Sequence, residues 1–313
     1  MTFRVYAFGL KGLNPAVVNS MTTILESGLV QQAENLSVYY ELKPNIDSIH
    51  NGAPFRTNSR GLADQEYALA KPDGVFRVAV VGSSWTMPSG AEIGVAWHSV
   101  LEDRYNLHSK DIRYEFINFG VEFYGLEEII GTTRHKALKY EPDLIIAGLT
   151  ATTTAILREP HTQPFVPTSK RNPFFESLAS SALGLPWVAG IRRPAPASVS
   201  NADQWRAQTI TSIRELHAIA TSANAELAIV WLGFRPMGKN YRAVMEQLGV
   251  PVSLAYEPIS TDRGGGWFET FADIRFQTSR FDLHPNALAH GLIADKVQTD
   301  LVNSGLLPAV NEK

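Results

Sequence analysis

The sequence predicts an α/β protein with an open, mostly parallel sheet and helices on both faces. Residues 77–81 (Arg-Val-Ala-Val-Val) form an almost continuous apolar run, which is typical of a strand buried on both faces of a parallel sheet. From residue 76 onward, predicted strands alternate with predicted helices, and this alternation favours parallel pairing. A chain of 313 residues with 44% hydrophobic and 19% charged residues has ample material for a large core.

The predicted elements form one series. Ligand sites in such sheets lie beyond the carboxyl ends of the strands, so residues 82–84, 120 and 150–153, which follow three strand ends, are expected to gather at one edge. Short extended segments at residues 3–8 and 37–42 come first, followed by strands at 77–81, 114–118, 144–148, 226–232 and 251–255 and helices at 95–105, 126–140, 204–222, 241–248 and 286–302.

The chain divides into two predicted parts. Residues 1–75 show no α/β rhythm and are expected to form an N-terminal extension that packs on the main domain, residues 76–313. Within that domain, the interval 158–201 is rich in proline and aromatic residues and lacks clear periodicity. A long insertion of this kind is usually functional or mobile. It is interpreted as a lid or acyl-binding wall, with a surface excursion or an oligomer contact as the alternatives.

Composition excludes several classes of function. A formal charge of −3 gives no reason to expect nucleic acid or an anionic membrane surface as a partner. The absence of cysteine excludes disulfides, thiolate zinc sites and a cysteine nucleophile. Residues 1–6 do not resemble a signal peptide, and the longest apolar run, residues 178–191, is interrupted by Pro186 and too short to span a bilayer. A cytoplasmic protein without a transmembrane segment is expected, and the oligomeric state is left open.

Ser84 is the candidate nucleophile. It follows the strand at 77–81 in a tight turn that the small residues Gly82 and Ser83 permit, so its hydroxyl should be exposed at the top of the sheet. The backbone N–H of such a serine can point at a developing oxyanion. The alternative is a helix cap, because a serine after a strand often begins a helix. The α/β-hydrolase elbow G-x-S-x-G is not present, since Thr86 occupies its final glycine position.

His284 and Asp282 are the candidate base and its orienting acid. Pro285 biases His284 toward an extended conformation and suits the first turn of the helix that follows. Asp282 can accept a hydrogen bond from the imidazole and fix its tautomer, which leaves the other ring nitrogen to take a proton from serine. A structural Asp-His turn contact is the alternative. His290, farther along the helix, is interpreted as packing or surface.

Five ordered segments resemble the SGNH (GDSL) hydrolases. They are residues 82–84 (Gly-Ser-Ser, where the family has Gly-Asp-Ser), 118–121 (Asn-Phe-Gly-Val), 282–286 (Asp-Leu-His-Pro-Asn), and the lead-in stretches 56–62 and 139–144. The resemblance implies a flavodoxin-like three-layer α/β/α sandwich with a mostly parallel five-stranded sheet. It also implies the triad Ser84, His284 and Asp282, with the backbone N–H groups of Ser84 and Gly120 as oxyanion donors.

The chain departs from the family pattern in its third block. The family supplies an asparagine side chain to the oxyanion hole there, whereas the equivalent residues 148–153 contain none; Thr152 falls at that place and Thr150 is a nearby alternative. Loss of one oxyanion donor costs about 100- to 1000-fold in rate in a protease. Glu122 and Phe123 replace a Pro-Gly pair often seen after Gly120, and together with Trp85 they are candidate substrate-pocket residues.

Three functions remain open. The first is a serine esterase or acyl hydrolase acting on a small-molecule or glycan ester. The second is an O-acyltransferase that uses the same residues with a sugar or other alcohol as acceptor. The third is a non-enzymatic binding protein with a degenerate site. No cofactor or metal is expected, because residues 264–266 lack the strand and lysine of a phosphate loop and His135 and His161 have no partners at metal-ligand spacing.

Overall fold

The computed structural model describes residues 13–14, 20, 22–155, 165, 202–233, 237–255, 274–279 and 282–309. The extended segment expected at residues 3–8 lies outside the described residues. So does the interval 158–201, apart from Phe165, and with it the predicted lid or acyl-binding wall. Phe165 packs against Tyr39 and Tyr40, with ring centroids 5.3 Å from each.

A five-stranded parallel sheet forms the centre of the molecule, which confirms the predicted fold class. Its spatial order is β6-β5-β7-β8-β9. The chain enters the sheet at β5, adds β6 at one edge, and then returns to the other side of β5 to add β7, β8 and β9 in turn. Gly82 at the end of β5 pairs with Gly148 near the end of β7, which places the two strand ends side by side. The strands are β5 (Val75–Gly82), β6 (Arg113–Asn118), β7 (Leu144–Leu149), β8 (Glu226–Trp231) and β9 (Val252–Ser253).

Alternating side chains of the strands supply two hydrophobic cores, one on each face. Val78 and Val80 of β5 pack into one core, whereas Ala79 and Val81 pack into the other. The first core is covered by α1 (Trp97–His108) and α6 (Ala287–Asn303), and the second by α2 (Leu126–His135), α4 (Ala202–Ser222) and α5 (Lys239–Leu248). A short helix, α3 (Ala151–Ala155), follows β7 directly. The result is the three-layer arrangement that the pattern predicts.

The helix expected at residues 126–140 is shorter in the structure. It ends at His135, because Lys136 leaves the helical region with a φ of −122°, and a 3-10 turn covers Ala137–Tyr140. The turn ends at Glu141, whose left-handed backbone (φ 53°) redirects the chain into Pro142 and β7. The apolar repeat that predicts one helix in the sequence therefore corresponds to two segments in the structure, a helix and a 3-10 turn.

Residues before β5 form two small hairpins whose side chains join the second core. Tyr40 and Phe55 lie in the same cluster as Ile117 of β6, so this part of the chain packs on the sheet layer. The hairpins are antiparallel and consist of β1 (Val30–Gln32) with β2 (Tyr40–Leu42) and β3 (Asp47–His50) with β4 (Ala53–Arg56).

A third hairpin, which sequence patterns did not predict, carries the candidate base. It pairs β10 (Gln277–Ser279) with β11 (Asp282–Pro285), so His284 sits in a strand immediately before α6. Pro285 belongs to that strand and not to the first turn of the helix. Asn286 is the helix N-cap, because its side chain accepts a hydrogen bond from the Ala289 N–H.

None of the helices in the described ranges is long and apolar enough to cross a membrane.

Candidate active site

Glycines at three neighbouring strand ends surround the side chain of Thr86. A Cβ added at Gly82 or Gly148 would overlap Thr86 Oγ1, and one added at Gly120 would lie 2.8 Å from Thr86 Cβ. Thr86 is completely buried. Gly82 is thus required by the close approach of Thr86, and its φ lies outside the left-handed region. The turn after β5 folds back onto the sheet edge in the space that the three glycines leave.

Ser84 occupies the outer side of this turn. The N–H groups of Thr86 and Met87 both donate to Ser83 O at 2.9 Å, and the Ser89 N–H donates to Ser84 O at 3.0 Å. Ser84 is half-buried, and its hydroxyl makes no hydrogen bond to any residue that the structure describes. A serine that capped a helix would use this hydroxyl on a backbone N–H. The hydroxyl of Ser84 is therefore uncommitted.

His284 and Asp282 form a short contact at the same edge of the sheet. His284 Nδ1 lies 2.5 Å from Asp282 Oδ1, which also accepts the His284 backbone N–H at 3.1 Å. Burial raises the pKa of Asp282, but the neighbouring His284 and the hydrogen bonds it donates outweigh burial, so the pKa is lowered overall. An ionised Asp282 fixes the proton on Nδ1, so the lone pair of the neutral imidazole lies on Nε2. Within the described residues, His284 and Ser84 share no hydrogen bond.

Two further histidines, His98 of α1 and His290 of α6, are fully buried. His98 Nε2 is 3.0 Å from Thr86 O, and His290 Nδ1 accepts the Trp97 N–H at 3.4 Å. Burial lowers the pKa of His98 to about 4 and that of His290 to about 3, with a further contribution to the latter from His98 and His284. Both imidazoles are neutral at pH 7. His290 was interpreted as packing or surface, and the structure places it in the packed interior.

The Gly120 N–H, a predicted oxyanion donor, already has a partner in this structure. It donates to Asn118 Oδ1 at 2.8 Å. Asn118 is held in turn, because its backbone N–H donates to Asp64 Oδ2 at 2.8 Å and its side chain donates to Ala63 O at 3.1 Å. Burial raises the pKa of Asp64 to about 8. The Gly120 N–H can meet an oxyanion only by sharing or leaving its bond to Asn118.

The threonines after β7 occupy different positions at the start of α3. Thr150 is the helix cap: Thr150 Oγ1 accepts the Thr153 N–H at 3.0 Å and lies 2.9 Å from Thr153 Oγ1. Thr153 Oγ1 also lies 3.1 Å from Ser83 Oγ, which ties the helix to the Ser84 turn. Thr152 is exposed on the first turn. Of the two threonines predicted as oxyanion donors, Thr150 is engaged in capping and Thr152 is exposed.

The three predicted pocket residues are placed at different depths. Trp85 is buried in the core beneath α1 and α6. Phe123 is half-buried and has a φ of 66°, an unusual conformation for a bulky residue, at a position where the resembled family has glycine. Glu122 is buried and contacts His50, with 2.8 Å between Oε2 and Nε2.

Sequence reasoning missed His50, Ser89 and Thr86. Ser89 Oγ donates to Glu122 Oε2 at 3.0 Å, which makes Glu122 the meeting point of three segments of the chain. His50 and Glu122 are 72 positions apart, and no periodicity or motif links them. Across the described ranges, no group of three or more His, Asp or Glu side chains is arranged to hold a metal ion.

The fold and the site together define a class: an α/β protein with an uncommitted serine and an Asp-His pair at the carboxyl edge of a parallel sheet. No protein-family model matches the chain, and no curated protein matches it. Solved structures of similar fold include TesA, 12% identical over 73% of this chain and 99% of that one, with a TM-score of 0.45. LAE5, an α/β hydrolase enzyme from the metagenome of Lake Arreo, is 13% identical over 75% and 97% of the two chains, with a TM-score of 0.47.

A GDSL-like lipase from Bacteroides thetaiotaomicron is 11% identical over 73% of this chain and 88% of the lipase, with a TM-score of 0.40. The lipase is described as GDSL-like, which is the family that the sequence motifs resemble. TesA, LAE5 and this lipase are each a protein to which this chain is similar in fold.

Proposed function

We propose that the protein is a serine-dependent ester hydrolase with Ser84 as nucleophile, His284 as general base and Asp282 as the acid that orients it. The observation that carries the proposal is the 2.5 Å contact between His284 Nδ1 and Asp282 Oδ1, made at the edge where the Ser84 hydroxyl is uncommitted. A histidine held in this way through one nitrogen is suited to accept a proton through the other.

In the proposed reaction, His284 Nε2 takes the proton of Ser84 as Oγ attacks the ester carbonyl carbon. The imidazolium faces ionised Asp282, which stabilises its charge. The proton then passes to the leaving alcohol oxygen as its bond to carbon breaks, which leaves an acyl group on Ser84. Water attacks this acyl group, His284 takes a proton from the water, and the acid leaves as the proton returns to Ser84.

The proposal requires a hydrogen bond between Ser84 Oγ and His284 Nε2 to form when the substrate binds. Catalytic hydrogen bonds are often long in ligand-free structures and tighten in the substrate complex. The oxyanion would be met by the Ser84 N–H, with Thr152 and a Gly120 N–H released from Asn118 as further donors. Because these groups are weak hydrogen-bond donors to the oxyanion, we expect the acylation step to be slow.

Labelling with a fluorophosphonate tests the proposal, because the reagent reports an activated serine without knowledge of the ester. Intact-mass analysis should show one adduct, and peptide mapping should place it on Ser84. Ser84→Ala should abolish labelling and His284→Ala should slow it by at least about 100-fold, whereas Ser83→Ala should leave the adduct on residue 84. A folded wild-type protein that takes up no label at high reagent concentration would refute the proposal.

Acyl transfer to a sugar or other alcohol uses the same residues and is the alternative to hydrolysis. After labelling succeeds, an acetyl ester offered with and without an oligosaccharide or simple alcohol distinguishes the two. Free acetate in both cases identifies a hydrolase, and an acetylated acceptor formed faster than acetate identifies a transferase.

A further inference from the structure

A buried carboxylate, that of Glu122, lies beside the candidate active site and is not used in the proposed reaction. Glu122 is 5% exposed, and its partner His50 is 1% exposed. Glu122 Oε2 lies 2.8 Å from His50 Nε2 and accepts the Ser89 hydroxyl at 3.0 Å. Asn51 completes the cluster, because its side-chain amide donates to Ser89 Oγ at 2.7 Å. We call His50, Asn51, Ser89 and Glu122 the hairpin cluster.

The hairpin cluster joins the parts of the chain that build the site. Ser89 closes the turn that carries Ser84, which we call the nucleophile turn (residues 83–89), since the Ser89 N–H donates to Ser84 O at 3.0 Å. Glu122 lies two residues after Gly120, in the segment that contains the predicted oxyanion donor. His50 is the last residue of β3 and Asn51 lies in the turn to β4, before the α/β domain that the sequence predicts.

The same cluster reaches the hairpin that carries the base. Gly90, next to Ser89, is packed so closely that an added Cβ would lie 3.0 Å from Thr278 Cγ2 and 3.2 Å from Asn51 O. Thr278 belongs to β10, and its hydroxyl donates to Asp282 O at 3.4 Å. A path of direct contacts therefore leads from the hairpin cluster to both sides of the triad.

Glu122 also stands at a strained point of the backbone. The Tyr40 hydroxyl donates to Glu122 O at 2.7 Å, and the next residue, Phe123, has a φ of 66°. A non-glycine residue in this region costs about 1 kcal/mol or more and persists only where the surroundings hold it. Glu122 is held through both its side chain and its carbonyl, by residues that precede β5. These contacts hold the segment after Gly120 in its observed conformation.

From these contacts we infer that Glu122 and His50 are positioning residues for the reaction of Ser84, so that the hairpin before β5 is a working part of the active site. The inference rests on the proposed function of Ser84. Glu122 fixes the nucleophile turn through Ser89 and the oxyanion segment through its own backbone. It was predicted to line the substrate pocket, and its burial and its two partners support the positioning role instead.

The experiment compares Glu122→Gln with Glu115→Gln. Glu115 is a matched control because its buried side chain likewise contacts one basic side chain, with 2.6 Å between Oε2 and Arg77 Nη2. Arg77 and Glu115 are register partners near the amino ends of β5 and β6, at the opposite end of the sheet. Both substitutions keep the size of the side chain and replace a buried carboxyl group with an amide.

The measurements are the rate of fluorophosphonate labelling of Ser84 and the unfolding temperature of each variant, with labelling performed far below both unfolding temperatures. Glu122→Gln is expected to label about 10- to 100-fold more slowly than wild type, since small displacements of reacting groups have effects of this size. Glu115→Gln is expected to label at the wild-type rate, even if it unfolds at an equal or lower temperature. Ser89→Ala should slow labelling, and its effect should not add to that of Glu122→Gln because the two side chains share one bond.

The outcomes separate this inference from the proposed function. Labelled wild type with Glu122→Gln and Ser89→Ala as fast as Glu115→Gln overturns the positioning role and leaves the function of Ser84 intact. Folded wild type that takes up no label overturns both. If Glu122→Gln does not fold, Ser89→Ala alone decides, because it removes one hydroxyl and leaves the contact between Glu122 and His50 in place.

Discussion

At the scale of single residues, the site shows which contacts a sequence reveals. Asp282 and His284 are two positions apart, so their hydrogen bond is local and spacing predicts it. The turn that carries Ser84 was likewise predicted, from a strand that ends on small residues. The contact between His50 and Glu122, in contrast, joins residues that are 72 positions apart. The packing of Thr86 against three glycines depends on which strands are neighbours in the sheet. These contacts exist only in three dimensions, and no local pattern encodes them.

Thr86 provides a prediction at this scale. Its Oγ1 atom is buried and has no hydrogen-bond partner among the described residues, and an unsatisfied buried hydroxyl costs about 1 to 3 kcal/mol. Thr86→Val removes the hydroxyl and keeps the shape, so the free energy of unfolding should rise by about 1 kcal/mol. Urea denaturation measures the change. Thr133→Val is the control, because the equally buried Thr133 donates to Ile129 O at 2.7 Å and its loss should not stabilise the protein. A marked fall in stability for Thr86→Val would show that its hydroxyl has a partner after all.

At the scale of elements, the strands of the central sheet were predicted to within three residues at each end, because buried parallel strands are nearly continuous apolar runs. The predicted helix ends were less accurate. The helix that begins at Leu126 ends at His135 because the backbone of the next residue is not helical, and the spacing of apolar residues does not reveal this change. The β10–β11 hairpin was missed because each of its strands has only three or four residues, which is too short for an alternation pattern.

The first turn of α3 supplies the element-scale prediction. Thr152 is exposed there, at the place where the resembled family has an asparagine. Thr152→Asn offers a longer side chain with an N–H donor, and labelling of Ser84 should become faster by about 10- to 100-fold, part of the effect known for one oxyanion donor. Ala151→Asn puts the same group one position earlier and should give no gain. Equal rates for both variants and wild type would mean that this turn does not face the oxyanion.

At the scale of the whole molecule, the two buried histidines make stability depend on pH. The pKa values of His98 and His290 are lowered from 6.5 to about 4 and about 3 by burial, so in acid the unfolded chain binds protons that the folded protein does not. The free energy of unfolding therefore falls as pH drops from about 6.5 toward 4, by up to about 3 kcal/mol for each histidine. Asp64, whose pKa is raised from 3.8 to about 8, acts in the opposite direction over the whole of this range.

The difference between variants isolates the contribution of one histidine. The loss of unfolding free energy between pH 7 and pH 5, measured in urea, should be smaller for His98→Gln than for wild type. His108→Gln replaces an exposed histidine of the same helix and should lose as much as wild type. An unchanged loss in His98→Gln would mean that this histidine is already protonated in the folded protein.

The candidate site can form only late in synthesis, because it needs both the hairpin cluster and the hairpin of β10 and β11. Its parts come from positions near 50, 84, 122 and 284, and some 200 residues separate Ser84 from His284. During synthesis the earlier elements can fold first, but contacts between distant positions form only once their intervening loops have closed. Under the proposed function, Ser84 therefore emerges from the ribosome well before its base, and the chain stays unreactive until β11 and α6 have folded onto the sheet.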